Sequence, residues 1–260
     1  MLYENSVASI EGSSFKNNSL ISSIPGSVVG GAIEYNSRLA DVSETGNILV
    51  LKNNSFEGNS VTHGENSDPI KGSQVTHVAA GGAVAFSPSE MIGRANDVTY
   101  TKEGLTFVNS VSAENNSFVS NTVSSNTGHV LGGALLFSSG IASFPYVPNK
   151  LSSDAEGKQP ELTHSLVNSL ALSGENEFSN NSISSEKGMA VGGASTMLTG
   201  HTALLTAWNS TDSDAGNDGD QEQNTNQGNN QASTVKKISE TVNAQNHFTV
   251  TGKNKFQGNS

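Results

Sequence analysis

Cysteine is absent from the chain, which removes disulfides and thiolate metal sites from consideration. Charge is scarce as well, with 14% charged residues among 260 positions. The 13 Lys and Arg are scattered, and the formal net charge is −11. That balance argues against nucleic acid, whose phosphate backbone needs clustered cations. The acidity fits a role in solubility and opposes tight binding to anionic membranes. No run of about 20 apolar residues occurs, so no helix is expected to span a bilayer. The opening "MLYENSVASI" lacks the basic start and apolar stretch of an export signal. If the parent is exported, this chain is expected to be an excised piece of it. Hydrophobic residues make up only 33%, low for a globule with a thick core. No sustained period of 3.6 residues marks a helix. Asn, Ser, Gly and Thr remain, with β-branched residues among them. They suit a thin, elongated β structure built round a narrow column.

Within that polar background one large aromatic recurs in a fixed setting. "GSSFKNNS", "NNSFEGNS", "NNSFVSNT", "ENEFSNNS" and "KNKFQGNS" place Phe-x-x-Asn at Phe15 and Asn18, Phe56 and Asn59, Phe118 and Asn121, Phe178 and Asn181, and Phe256 and Asn259. A second motif alternates with the first. Gly30-Gly31-Ala32, Gly81-Gly82-Ala83, Gly132-Gly133-Ala134 and Gly192-Gly193-Ala194 each follow an aliphatic residue. From Phe to the next Gly-Gly the distances are 15, 25, 14 and 14 residues, and from Gly-Gly to the next Phe 26, 37, 46 and 64. One arm is nearly fixed and the other absorbs insertions, the signature of a solenoid.

Strand signals fit this frame. After Gly-Gly, alternation gives Ile33 and Tyr35, Val84 and Phe86, Leu135 and Phe137, then Ser195 and Met197. Eight and six residues before the Phe stand Ile48 and Val50, Leu170 and Leu172, Phe248 and Val250. The third module is one place out of step, with Val111 and Ala113, and the first offers Val7 and Ser9. The expected fold is all-β, a right-handed parallel β-helix with long loop insertions. One domain over residues 1–260 should hold about five coils of three short strands each. Insertions are expected at about 61–78, 87–104, 138–165 and 199–240. The Phe should stack as an interior aromatic column. The Asn that follows should form an amide ladder, as in stacked in-register strands. A second amide column is expected through Asn54, Asn116, Asn176 and Asn254, with Ser13 in the first module. Gly-Gly-Ala should supply permissive dihedrals where the next sheet begins. The edge at 248–260 is expected to pair with another copy, giving a homo-oligomer.

The ordered alternation of Phe-x-x-Asn with Gly-Gly-Ala-aliphatic resembles the chlamydial polymorphic membrane proteins. Those are autotransporters whose passengers carry both motifs in many copies. The resemblance spans about residues 7–260, and Ser195 departs from the aliphatic pattern. It implies a passenger exposed on the bacterial surface, adhering to a host cell-surface protein or glycan. If the Phe are interior, the direct contacts are expected from the variable loops.

Candidate chemistry in the loops is thin. Asp212, Asp214, Asp218 and Asp220 stand in one insertion, without the spacing of an EF-hand. A solvated loop is the expectation there. Phe144, Pro145, Tyr146 and Pro148 cluster in another insertion, and Phe144 and Tyr146 are a candidate binding surface because aromatics concentrate contact energy. The alternative is that they cover an apolar edge. Trp208 follows Leu204 and Leu205, which suggests a packed segment. The histidines at 63, 77, 129, 164, 201 and 247 have no metal-ligand spacing. Four Gly-Gly-Ala copies opening strands are not a dinucleotide loop opening a helix. No metal, cofactor or catalytic pair is expected. Two other readings stay open, a polysaccharide-active β-helix enzyme and a purely structural stalk.

Overall fold

Short β-prone segments separated by polar corners leave this chain one economical way to bury its apolar residues, which is to wind. In the computed structural model, residues 3–23, 26–36, 38–39, 44–64, 78–92, 106–143, 161–201, 207–210, 234–237 and 239–260 are described. Their regular structure is all strand, arranged as a parallel β-helix.

Five parallel sheets run along the axis, the first four built from one strand per coil. The first holds Tyr3–Glu11, Glu44–Lys52, Thr106–Glu114, Glu161–Ser173 and Ser239–Val250. The second holds the Phe strands, Ser14–Lys16, Ser55–Glu57, Ser117–Val119, Glu177–Ser179 and Lys255–Gln257. Ser19–Ser22, Ser60–His63, Thr122–Ser125 and Ser182–Ser185 make the third. Ser27–Val29, Val78–Ala80, His129–Leu131 and Ala190–Val191 make the fourth. The fifth follows Gly-Gly-Ala and contains Ile33–Tyr35, Val84–Phe86, Leu135–Ser143 and Ser195–His201, extended by Arg38–Leu39 and Ser89–Ile92. Five strand segments per full coil replace the three expected. The difference arises at the corners, where a single left-handed residue breaks what would otherwise be one longer strand.

Those corner residues are Asn17, Asn53, Asn115, Ser120 and Asn180, with φ of 54–55°, and Gly12, Gly58, Gly174, Gly252 and Gly258. Gly and Asn are the residues that enter this region most readily. The corner before the Phe strand differs between coils. Two residues, Asn53-Asn54, join Lys52 to Ser55, whereas three, Gly174-Glu175-Asn176, join Ser173 to Glu177. This extra residue corrects the inward assignments. Register pairs Ala8, Leu49, Val111, Leu170 and Phe248 in one column, and Ile10, Leu51, Ala113, Leu172 and Val250 in the next. Leu49 and Leu51 are fully buried, not Ile48 and Val50, and Val7 is 63% exposed. The expected pairs of the first and second modules are therefore both one residue off, because their shorter corners move the inward pair, Ala8 and Ile10 or Leu49 and Leu51, one residue closer to the Phe.

The main core lies between the first, second and fifth sheets and includes Leu49, Leu51, Phe56, Phe86, Val111, Phe118, Phe137, Leu170 and Phe178. A smaller cluster of Val28, Val61, Ala79, Val123 and Val130 fills the space between the third and fourth sheets. At the bend between the fourth and fifth sheets the first glycine of each Gly-Gly-Ala has φ of 59–77°. The second has no room for a side chain: a Cβ on Gly31, Gly82 or Gly133 would strike the carbonyl oxygen of the equivalent glycine one coil on.

Candidate functional site

The repeated motifs form regular columns along the axis. Phe15, Phe56, Phe118, Phe178 and Phe256 stack with ring centroids 4.7–5.0 Å apart and planes within 9° of parallel. That spacing is the interstrand repeat itself. Phe56, Phe118 and Phe178 are fully buried, Phe15 is partly buried, and Phe256 is 49% exposed at the outer face of the fifth coil. Tyr35, Phe86 and Phe137 make a second, tilted aromatic column on the fifth sheet, with centroids 4.8 and 5.1 Å apart.

Beside the Phe stack runs an amide column with its donors and acceptors closely matched. The backbone N–H and the Nδ2 of Asn59 both donate to Oδ1 of Asn121, at 3.0 and 2.9 Å. Asn59 Nδ2 also donates to the Phe15 carbonyl at 3.0 Å. The pattern repeats from Asn18 to Asn59, from Asn121 to Asn181 and from Asn181 to Asn259. Asn59, Asn121, Asn181 and Asn259 thus each satisfy the carbonyl of the Phe on the coil before, in a place where an unpaired group would be costly. Asn54, Asn116, Asn176 and Asn254 form the corresponding column at the preceding corner, and Ser13 N–H donates to Asn54 Oδ1.

A third amide column escaped the sequence reading. On the first sheet Asn47 Nδ2 donates to Asn109 Oδ1 at 3.0 Å, Asn109 to Asn168 at 3.2 Å, and Asn168 to Asn246 at 2.8 Å. Its signal was present as Asn-x-apolar-x-apolar in "NILVL", "NSVSA", "NSLAL" and "NHFTV". The unequal corners hid it by changing its offset from the Phe.

Outside the motifs, most of the variation falls on one arc. The chain leaves the fifth sheet and returns to the first between Leu39 and Glu44, Ile92 and Thr106, Ser143 and Glu161, and His201 and Ser239. Because both sheets stack in register, these exits lie one above another. The second coil alone adds residues elsewhere, between His63 and Val78. Phe144 and Tyr146 lie outside the described residues, as do Asp212, Asp214, Asp218 and Asp220. Trp208 stands in a two-stranded antiparallel ribbon, Ala207–Ser210 with Thr234–Lys237, opposite Lys236. It is therefore separate from the five sheets of the coil.

Titratable groups among the described residues serve the stacking. Lys16–Glu57, Lys52–Glu114, Lys253–Glu175 and Lys255–Glu177 pair between neighbouring coils at 3.0–3.7 Å. All are solvent-exposed, where such pairs contribute little. The Ser179 hydroxyl and the Lys255 ammonium hold the Glu177 carboxyl below its usual range. His129 Nδ1 accepts the Met189 N–H at 2.9 Å. Among the described residues no three His, Asp or Glu side chains come together to hold a metal, and no helix is long and apolar enough to cross a membrane.

The fold and its columns define a parallel β-solenoid with one variable edge. Compared with protein-family models, curated proteins and solved structures, the chain matches none.

Proposed function

We propose that the chain is part of a surface-exposed passenger of a bacterial autotransporter, akin to the chlamydial polymorphic membrane proteins, which attaches the cell to a host surface protein or glycan. The observation that carries this reading is the division of labour around the coil. Buried ladders of one repeated design run through the Phe strand and the corners on either side of it, while the insertions, apart from the one between His63 and Val78, collect with very unequal length on the arc between the fifth and first sheets. Loops on a rigid scaffold are where binding residues concentrate. In the interior coils Phe56, Phe118, Phe178, Asn59, Asn121 and Asn181 are buried and bonded, so the loops carry the contact. Changes to the motifs then abolish attachment by unfolding the coil.

The test is cell attachment by variants in which residues 144–160 or 211–233 are replaced by short Gly-Ser linkers, with the β-sheet spectrum as a folding control. Loss of attachment in at least one, with the spectrum intact, is expected. Full attachment by both single variants and by the double variant defeats the proposal. A glycan-degradation assay on the intact chain separates the enzyme reading, since glycosidic hydrolysis needs two positioned carboxylates. Turnover lost on carboxylate substitution would establish catalysis instead.

A further inference from the structure

We infer that Asn47, Asn109, Asn168 and Asn246, together with Tyr35 and Ser139, form a clamp that holds the first and fifth sheets together at the mouth of the variable arc and fixes their register there. The inference rests on the proposed function only for its consequence to binding; the clamp itself is a structural statement.

Several observations converge on it. Asn47, Asn109 and Asn168 are fully buried on the inward face of the first sheet. Apolar residues flank the column on both sides: Phe107 and Leu166 toward the arc, and Leu49, Val111 and Leu170 toward the Phe stack. An amide in such a place costs stability unless bonded, so its presence needs a reason beyond packing. The motif columns do not share that reason. Their Asn side chains bond corner backbone groups as well as one another, whereas the rungs here run from side chain to side chain.

The further bonds of this column cross to the opposite sheet. Ser139 Oγ donates to Asn168 Oδ1 at 2.6 Å, and Tyr35 Oη donates to Asn47 Oδ1 at 3.4 Å. Both partners belong to the fifth sheet, so the column ties together the strands that deliver and receive the insertions. At the Phe-x-x-Asn corner a two-residue bend of fixed length sets the register. On this arc the connections differ in length from coil to coil and cannot do so. A slip of one residue would turn Asn109 outward and bring Ser110 or Val108 inward, breaking every rung. Buried polar residues that specify register are the best-attested use of such groups.

The experiment is amide hydrogen exchange on the full chain carrying Ser139→Ala, Ser139→Thr or Asn168→Leu. Ser139→Ala should accelerate exchange roughly tenfold at residues 137–141 and 166–170, the factor that one lost buried hydrogen bond corresponds to. Exchange at residues 118–121 should stay unchanged. Ser139→Thr keeps the hydroxyl and should restore protection. Asn168→Leu removes the amide but fills the space, and should loosen the same segments. Unchanged exchange in both the Ala and Leu variants, or equal acceleration along the whole coil, overturns the clamp. Attachment measured on the same variants separates the two readings. Local loosening with full attachment leaves the clamp standing and tells against the loops as the contact surface.

Discussion

The corner that carries Phe-x-x-Asn and the arc between the fifth and first sheets are built on opposite terms. At the corner each coil repeats the same solution: a ring inside, a left-handed residue at the bend, and an amide that bonds backbone of the coil before it. Asn17, Gly58, Ser120, Asn180 and Gly258 take the bend in successive coils, so even the variation is drawn from residues that suit it. Across the arc, nothing but the two sheet edges is held constant. The contrast teaches that a solenoid can carry connections of unequal length where the flanking sheets stay in register.

The largest effect should come from the ring column. Phe118→Ala removes a fully buried ring from between two others and should cost about 3–5 kcal/mol. Phe256→Ala removes a half-exposed ring with one stacking neighbour, and should cost well under half as much. Denaturant unfolding of the two variants checks this, and equal losses would erase the distinction between interior and outer coils.

Next comes the amide against the loop. Asn121→Leu strands the Phe56 carbonyl and the Asn59 N–H in the interior and should cost about 2–4 kcal/mol. Ten Gly-Ser residues inserted between Gly219 and Asp220 should cost less than about 0.6 kcal/mol, since loop closure grows only slowly with length. Comparable losses in denaturant would show that the arc is not the permissive edge described here.

The smallest effect concerns surface charge. Glu177 has a lowered pKa through Ser179 and Lys255. Its contribution is present above the ordinary carboxylate value of 4.5 and is lost as pH falls through the lower folded value. Unfolding measured from pH 6 down to pH 2 should show a slight acid loss that Glu177→Gln flattens. A loss that grows with rising pH would reverse the assignment.

The second sheet was legible because its motif is contiguous: Phe, bend and Asn stand within four residues, so no intervening corner can shift them. The first sheet was legible in kind but not in register. Gly174 and Gly252 lengthen their corners by one residue relative to Asn53 and Asn115. A frame counted back from the Phe therefore lands on Ile48 and Val50, when the inward pair is Leu49 and Leu51. The same shift concealed the column through Asn47. Division of each coil into five strands was hidden for another reason. A single left-handed Asn looks in sequence like any polar residue, and only its φ reveals a bend. The tight reversal at Gly-Gly-Ala was foreseen as permissive backbone, but the steric demand on its second glycine comes from the coil beyond, which one motif read alone does not show.

Every amide rung points the same way, with the earlier coil giving protons and the later one taking them. The axis therefore has a chemical sense, like the grain in wood. Copying an internal coil and splicing it beside the original leaves each giver facing a taker, whereas a coil laid in backwards meets its own kind. Growth by tandem duplication is thus the route this architecture leaves open to genetic change.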